Sequence, residues 1–98
     1  MQHPELKHIY EEIVDIRDES DDLQMLEALA NNAIYVLSKI QQSNNVADKA
    51  TASVVLTDML NTLNKEFLWA KEEQDLLEKH RWFVKAKKQF LEDMQALF

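Results

Sequence analysis

The chain has 98 residues, no cysteine, no glycine and one proline, with 46% hydrophobic and 30% charged residues and a formal charge of −7. That excludes disulfides and thiol chemistry, argues against the hairpins and phosphate loops that lean on glycine, and is too apolar for a disordered chain. The length suits a single domain, residues 1–98, and the composition predicts an all-α fold, an antiparallel four-helix bundle.

The first helix is predicted over residues 4–17. Leu6, Ile9, Tyr10, Ile13 and Ile16 recur at three- and four-residue steps and form one apolar stripe. Pro4 suits the first turn, where its missing N–H costs nothing. Glu11, Glu12, Asp15 and Asp18 fall off the stripe. The acidic break that follows contains Ser20, a good N-cap for a second helix over residues 21–42. Leu23, Leu26, Ala30, Ala33, Ile34, Leu37 and Ile40 make its stripe, which Tyr35 and Val36 widen.

Gln41-Gln42-Ser43-Asn44-Asn45 is the clearest loop. Asn44 or Asn45 can adopt a left-handed conformation, and Asn45 can cap the next helix. That third helix is expected over residues 46–68, with Ala52, Val55, Leu56, Met59, Leu60, Leu63 and Phe67 inward. Thr51, Ser53, Val54 and Val55 have mediocre helix propensity and would allow a later start. The fourth is expected over residues 71–97, with Leu76, Leu77, His80, Phe83, Val84, Lys87, Phe90, Leu91, Met94 and Leu97 along its stripe. No proline or glycine separates the last two. One rod from Val46 to Phe98 would be roughly 80 Å long, and half of it would lack a partner from its own chain. A bend near Leu68 to Lys71 is therefore expected.

No basic stretch leads into an apolar one at the start, and the longest apolar run, Ala33 to Leu37, is far short of the about 20 residues of a membrane span. The expected location is cytoplasmic, with a peripheral place at the inner face of the membrane left open. Residues 1–30 hold nine acids and two bases, whereas the rest of the chain balances, so the whole excess of negative charge lies in the first third. A phosphate backbone would be repelled there, and no nucleic-acid partner is expected.

Chemistry finds little purchase. Glu5 and His8 have the acid-to-histidine spacing of di-iron bundles, but no second pair accompanies them, so no metal and no cofactor are expected. His80 is followed by the bulky Arg81-Trp82-Phe83-Val84, unlike the open surroundings of a phosphate-accepting histidine, and reads as a partly buried structural residue. The serines have no strained elbow around them, and no acid lies within an apolar stripe. The chain is expected not to be an enzyme.

The most informative stretch runs from Lys79 to Lys88, five bases with no acid between them. Phe83 and Val84 belong to the predicted stripe, while Trp82 should be at least half exposed beside Arg81 and Lys85. Exposed tryptophan with arginine and lysine is a common composition for interaction surfaces. The candidate partner-binding residues are Arg81, Trp82, Lys85, Lys87 and Lys88.

Several segments are similar to those of the immunity proteins that protect lactic-acid bacteria from pediocin-like (class II) bacteriocins. The likeness is carried by Ile9-Tyr10-Glu11-Glu12-Ile13-Val14-Asp15-Ile16 before an acidic, serine-containing turn, by a helix from Leu26 to Ile40 ending in a polar loop, by Val54-Val55-Leu56-Thr57-Asp58-Met59-Leu60, and by Trp69 ahead of Lys71-Glu72-Glu73-Gln74-Asp75-Leu76-Leu77. The chain departs from many members of the family in being acidic. The resemblance implies a four-helix bundle that binds, from inside the cell, the complex of bacteriocin and its membrane receptor, a mannose phosphotransferase permease. It also implies that the C-terminal half sets specificity and that the protein is a monomer. The alternative is a small helical regulator or adaptor, of phage or antitoxin type, which would act by protein–protein binding as a homodimer.

Overall fold

The computed structural model describes residues 3–17 and 22–98. Its elements are α1 (Pro4–Asp15), α2 (Asp22–Gln41), α3 (Val46–Thr62), a π-helical turn (Leu63–Phe67), α4 (Leu68–Glu72), α5 (Leu76–Met94) and a closing 3-10 turn (Gln95–Leu97). The backbone stays helical from α3 through the π turn into α4, so these three make one rod and the protein is an all-α four-helix bundle. Around it α1 packs on α2, α2 on α3, α3 on α5, and α5 back on α1. No strand is present among the described residues.

The caps explain the ends. Pro4 stands at the start of α1, whose N-cap His3 makes no capping bond with its side chain. That side chain instead reaches Asp48 in α3, with Nε2 3.2 Å from Oδ2. Asn45 caps α3 as expected, its side chain accepting from the Asp48 N–H at 3.1 Å. The loop before it needs no left-handed residue: no described residue has positive φ. The end of α2 tightens instead, with Gln42 N–H donating to the Lys39 carbonyl and Ser43 N–H to the Ile40 carbonyl. The α3 helix begins at Val46 despite its indifferent residues. The hydroxyls of Thr51, Ser53 and Thr57 fold back onto carbonyls four residues earlier, which satisfies them inside the helix. The expected Ser20 cap lies outside the described residues.

The core joins all four rods. Leu6, Ile9, Ile13 and Ile16 come from α1 and the residue capping its end, and Leu26, Ala30, Ala33, Leu37 and Ile40 from α2. Ala52, Val55, Met59 and Phe67 come from the third rod, and Phe83, Ala86, Phe90, Met94 and Leu97 from the last. Tyr35 does not widen the α2 stripe; it is exposed, with Lys39 Nζ 4.4 Å from its ring centroid.

The third rod departs most from expectation. Its buried positions run Ala52, Val55, Met59, Thr62, Phe67 and Ala70. The five-residue step from Thr62 to Phe67 is where the π turn falls. An i→i+5 turn winds one extra residue into the same rotation, so the bulky Phe67 enters the core where an α-helix would place Glu66. The bend also comes later than Leu68–Lys71. It lies at Glu73–Asp75, where Glu73 and Asp75 take extended backbone. The Asp75 carboxylate then accepts from the N–H groups of Leu77 and Glu78, starting α5 at Leu76 rather than Lys71.

Candidate functional site

The five residues expected to form a single ridge point in three directions from α5. Phe83, Ala86 and Phe90 fix its inward side. Trp82 and Lys85 lie on the flank that faces the π turn and α4. The Trp82 ring stacks on Trp69, with centroids 5.9 Å apart and planes inclined by 21°. Lys85 Nζ sits 4.8 Å from the Trp82 centroid and 3.2 Å from Glu66 Oε2, an ion pair without hydrogen-bond alignment. Because Trp69 covers it, Trp82 is only partly exposed, less than the half expected. Trp69 is the open one, at 62%.

Lys87 lies on the opposite flank. Its Nζ donates to the Ile16 carbonyl at 2.7 Å, where α1 ends in extended backbone. Its ammonium therefore closes a helix C-terminus, where positive charge is favoured, and is not free in water. Arg81 and Lys88 are exposed on the outward side, and Arg81 bonds Glu78 one turn earlier at 2.7 Å. His80 is exposed too, which overturns its reading as a partly buried structural residue. Leu76, Leu77 and Val84 are also exposed rather than part of the core, Leu76 because it stands in the first turn of α5 beside the elbow. The inner stripe of α5 is narrower than the apolar pattern suggested.

The flank continues onto α4 through Leu68 and Trp69, both exposed. The rest of α4 is tied down: Ala70 is buried and Lys71 Nζ lies 3.0 Å from Glu27 Oε2 in α2. Trp69 and Glu66 were outside the expected site. Only their flanking position on the third rod, read with the π turn in place, brings them beside Trp82 and Lys85.

A groove beside the π turn is lined by Asp58, Asn61, Thr62, Lys65, Glu66, Gln89 and Asp93. At about 230 Å³ it is smaller than the roughly 300–1,000 Å³ of small-molecule sites. Its polar groups serve each other: Thr62 Oγ1 donates to Asp93 Oδ2 at 2.5 Å, and Gln89 Nε2 to Asp93 Oδ1 at 3.0 Å. Among the described residues no three histidines or acids gather as a metal would require. Glu5 and His8 lie on the exposed face of α1, and His8 pairs with Glu12. No described helix is long and apolar enough to cross a membrane. The α4–α5 flank presents an aromatic pair packed between two helices, with a cation laid over one ring.

Comparison with known proteins returns no matching family model, no matching curated protein and no matching solved structure.

Proposed function

We propose that the chain is a bacteriocin immunity protein, a cytoplasmic non-enzymatic bundle that presents its α4–α5 flank to a bacteriocin–receptor complex at the membrane. The observation that supports this reading is the Trp69–Trp82 stack with Lys85 over it. A large aromatic surface already fixed in place loses little entropy on binding, and tryptophan with a neighbouring cation is a frequent anchor of protein interfaces. The flank lies in the C-terminal half, where the resemblance places specificity, and the implied receptor is the mannose phosphotransferase permease. Trp69, Trp82 and Lys85 form the contact, with Arg81 and Lys88 at its outward edge. Lys87 is assigned to the fold instead.

The test is expression of the chain in a bacteriocin-sensitive strain challenged with a panel of class II bacteriocins. Survival against at least one is expected, and Trp69→Ala with Lys85→Ala should remove it while leaving the helical spectrum intact. Unchanged killing across the panel by the wild-type chain overturns the reading.

A second reading, a small helical regulator or adaptor, draws on a different observation. Leu76 and Leu77 are left open beside the elbow, as at a surface that meets another protein.

A further inference from the structure

Two pairs of residues face each other between the third rod and α5. Glu66 and Trp69 stand three apart on the rod, and Trp82 and Lys85 three apart on α5, the spacing that puts side chains on one face of a helix. The indoles meet at one end of this square, with centroids 5.9 Å apart. The charges meet at the other, with Lys85 Nζ 3.2 Å from Glu66 Oε2. Lys85 joins the two ends, because its ammonium also lies 4.8 Å from the Trp82 centroid, within the roughly 6 Å of a cation–π contact.

The charged partners are unequal. The Lys85 side chain is 59% exposed and that of Glu66 23%. Glu66 Oε2 is buried and accepts no hydrogen bond. A buried carboxylate oxygen is costly unless a cation meets it, and Lys85 is the only cation within ion-pair distance of Glu66 among the described residues. Lys85 has no such need of its own. Without Glu66 its ammonium is well served by water, and its long stem samples many rotamers. Glu66 therefore fixes the ammonium, and the fixed ammonium lies over Trp82. The π turn puts Glu66 in reach. Four residues after the buried Thr62, a regular helix would turn position 66 into the core. The extra residue brings Phe67 there and leaves Glu66 about 100° to one side, at 3.6 residues per turn.

We propose that Glu66 is a positioning residue for the aromatic surface: acting through Lys85, it sets the pose of the Trp82 indole against Trp69. The proposal deepens the reading of this flank as the contact surface and rests on that reading only for its biological consequence. Its test reads the indoles directly and needs no partner, so its failure is distinct from unchanged killing in the survival assay.

The experiment is near-ultraviolet circular dichroism of the tryptophans in the full chain, which senses how the rings are held, with the far-ultraviolet helical signal recorded beside it. Glu66→Gln keeps the shape of the side chain and removes its charge. It should lose most of the tryptophan band while the helical signal stays. Glu66→Asp, one methylene shorter, is the milder change and should lose the band in part. Lys85→Met keeps the stem without the charge and should lose the band as Glu66→Gln does, whereas Lys85→Arg keeps a cation over the ring and should retain it. Adding Glu66→Gln to Lys85→Met should cause no further loss, because Glu66 acts through Lys85. Exchanging the charges, Glu66→Lys with Lys85→Glu, restores an ion pair but sets a carboxylate against the negative face of the ring, so the band should stay lost. A band unaltered in both Glu66 variants overturns the proposal. So does a further loss in the Lys85→Met background, or recovery of the band in the exchanged chain, which would make the pair a simple brace.

Discussion

Trp69 stacks on Trp82 across the elbow between α4 and α5, with the ring centroids 5.9 Å apart. The contact braces the elbow, because the two rings come from the helices on either side of it. The chain has only two tryptophans, so emission excited selectively from tryptophan reports this corner alone. Aromatic pairs are worth about 0.5–1.5 kcal/mol beyond the area they bury. In a double-mutant cycle of Trp69→Ala and Trp82→Ala, read by urea denaturation, a coupling of about 1 kcal/mol is expected. Trp82→Ala should be the costlier single change, since its ring is the more covered of the two. Additive losses would mean that the rings stand side by side without stabilising each other.

The Lys87 ammonium and the Lys88 ammonium differ in task although their residues are neighbours. Lys87 closes the end of α1 on the Ile16 carbonyl, and Lys88 is exposed. Hydrogen bonds from charged groups contribute about 1.5–3 kcal/mol. Lys87→Ala should therefore lower stability by about 1–2 kcal/mol, while Lys88→Ala should stay within about 0.5 kcal/mol, as surface changes do. Thermal denaturation of the two variants side by side decides it. In the survival assay both should retain more protection than Trp69→Ala, Lys87 because it faces α1 and Lys88 because it stands only at the edge of the flank.

Helix caps start both C-terminal rods. Asn45 serves one N–H and Asp75 serves two. Replacing such a cap by alanine costs about 1 kcal/mol, within a range of roughly 0.5–2. Asp75→Ala should exceed Asn45→Ala, and it should also loosen the corner, shifting tryptophan emission before the global transition. Asn45→Ala, at the other end of the rod, should leave that emission unchanged until unfolding.

What the sequence disclosed divides along physical lines. The stripes of α1 and α2 were legible because Leu6, Ile9, Ile13 and Leu26, Ala33, Leu37 keep a regular helical step, and the structure buries them. Asn45 was legible because a cap is a local interaction. In the third rod Ala52, Val55, Met59 and Phe67 were legible as well, but the π turn was not, because no proline or glycine marks it, and Leu60, expected inward, is exposed. The bend went to Glu73–Asp75, three polar residues of which Glu73 and Asp75 accept from nearby N–H groups through their carboxylates. Such bonds compete with the helix in a way that hydrophobic spacing does not register. Periodicity places Leu77 and Val84 in the core because it does not tell a wide stripe from two narrow ones, and it places Leu76 there because it does not show that the first turn of α5, beside the elbow, leaves that side chain uncovered. Trp82 stood out in the sequence as a candidate contact residue, whereas Trp69, on which it stacks, lies on another helix, and only tertiary packing joins them.

The π turn makes the sharpest prediction. Phe67 is buried because the turn between Thr62 and Phe67 holds one residue more than an α-helical turn would. Deleting the exposed Asn64 should convert that turn into regular α-helix and leave Phe67 facing the same core, four residues after Thr62. The loss should be no more than about 1 kcal/mol, since an exposed side chain and an irregular turn are removed together. Deleting the equally exposed Lys88 has no such remedy. It falls in the regular part of α5 and would rotate Phe90, Met94 and Leu97 out of the core relative to Phe83. Phe→Ala at a single core position already costs about 3–5 kcal/mol, and moving three buried residues at once should abolish folding. Urea denaturation of the two single-residue deletions compares them directly. If the Asn64 deletion unfolds the chain as the Lys88 deletion does, the extra residue is not a spare one and the phase shift is not what carries Phe67 inward.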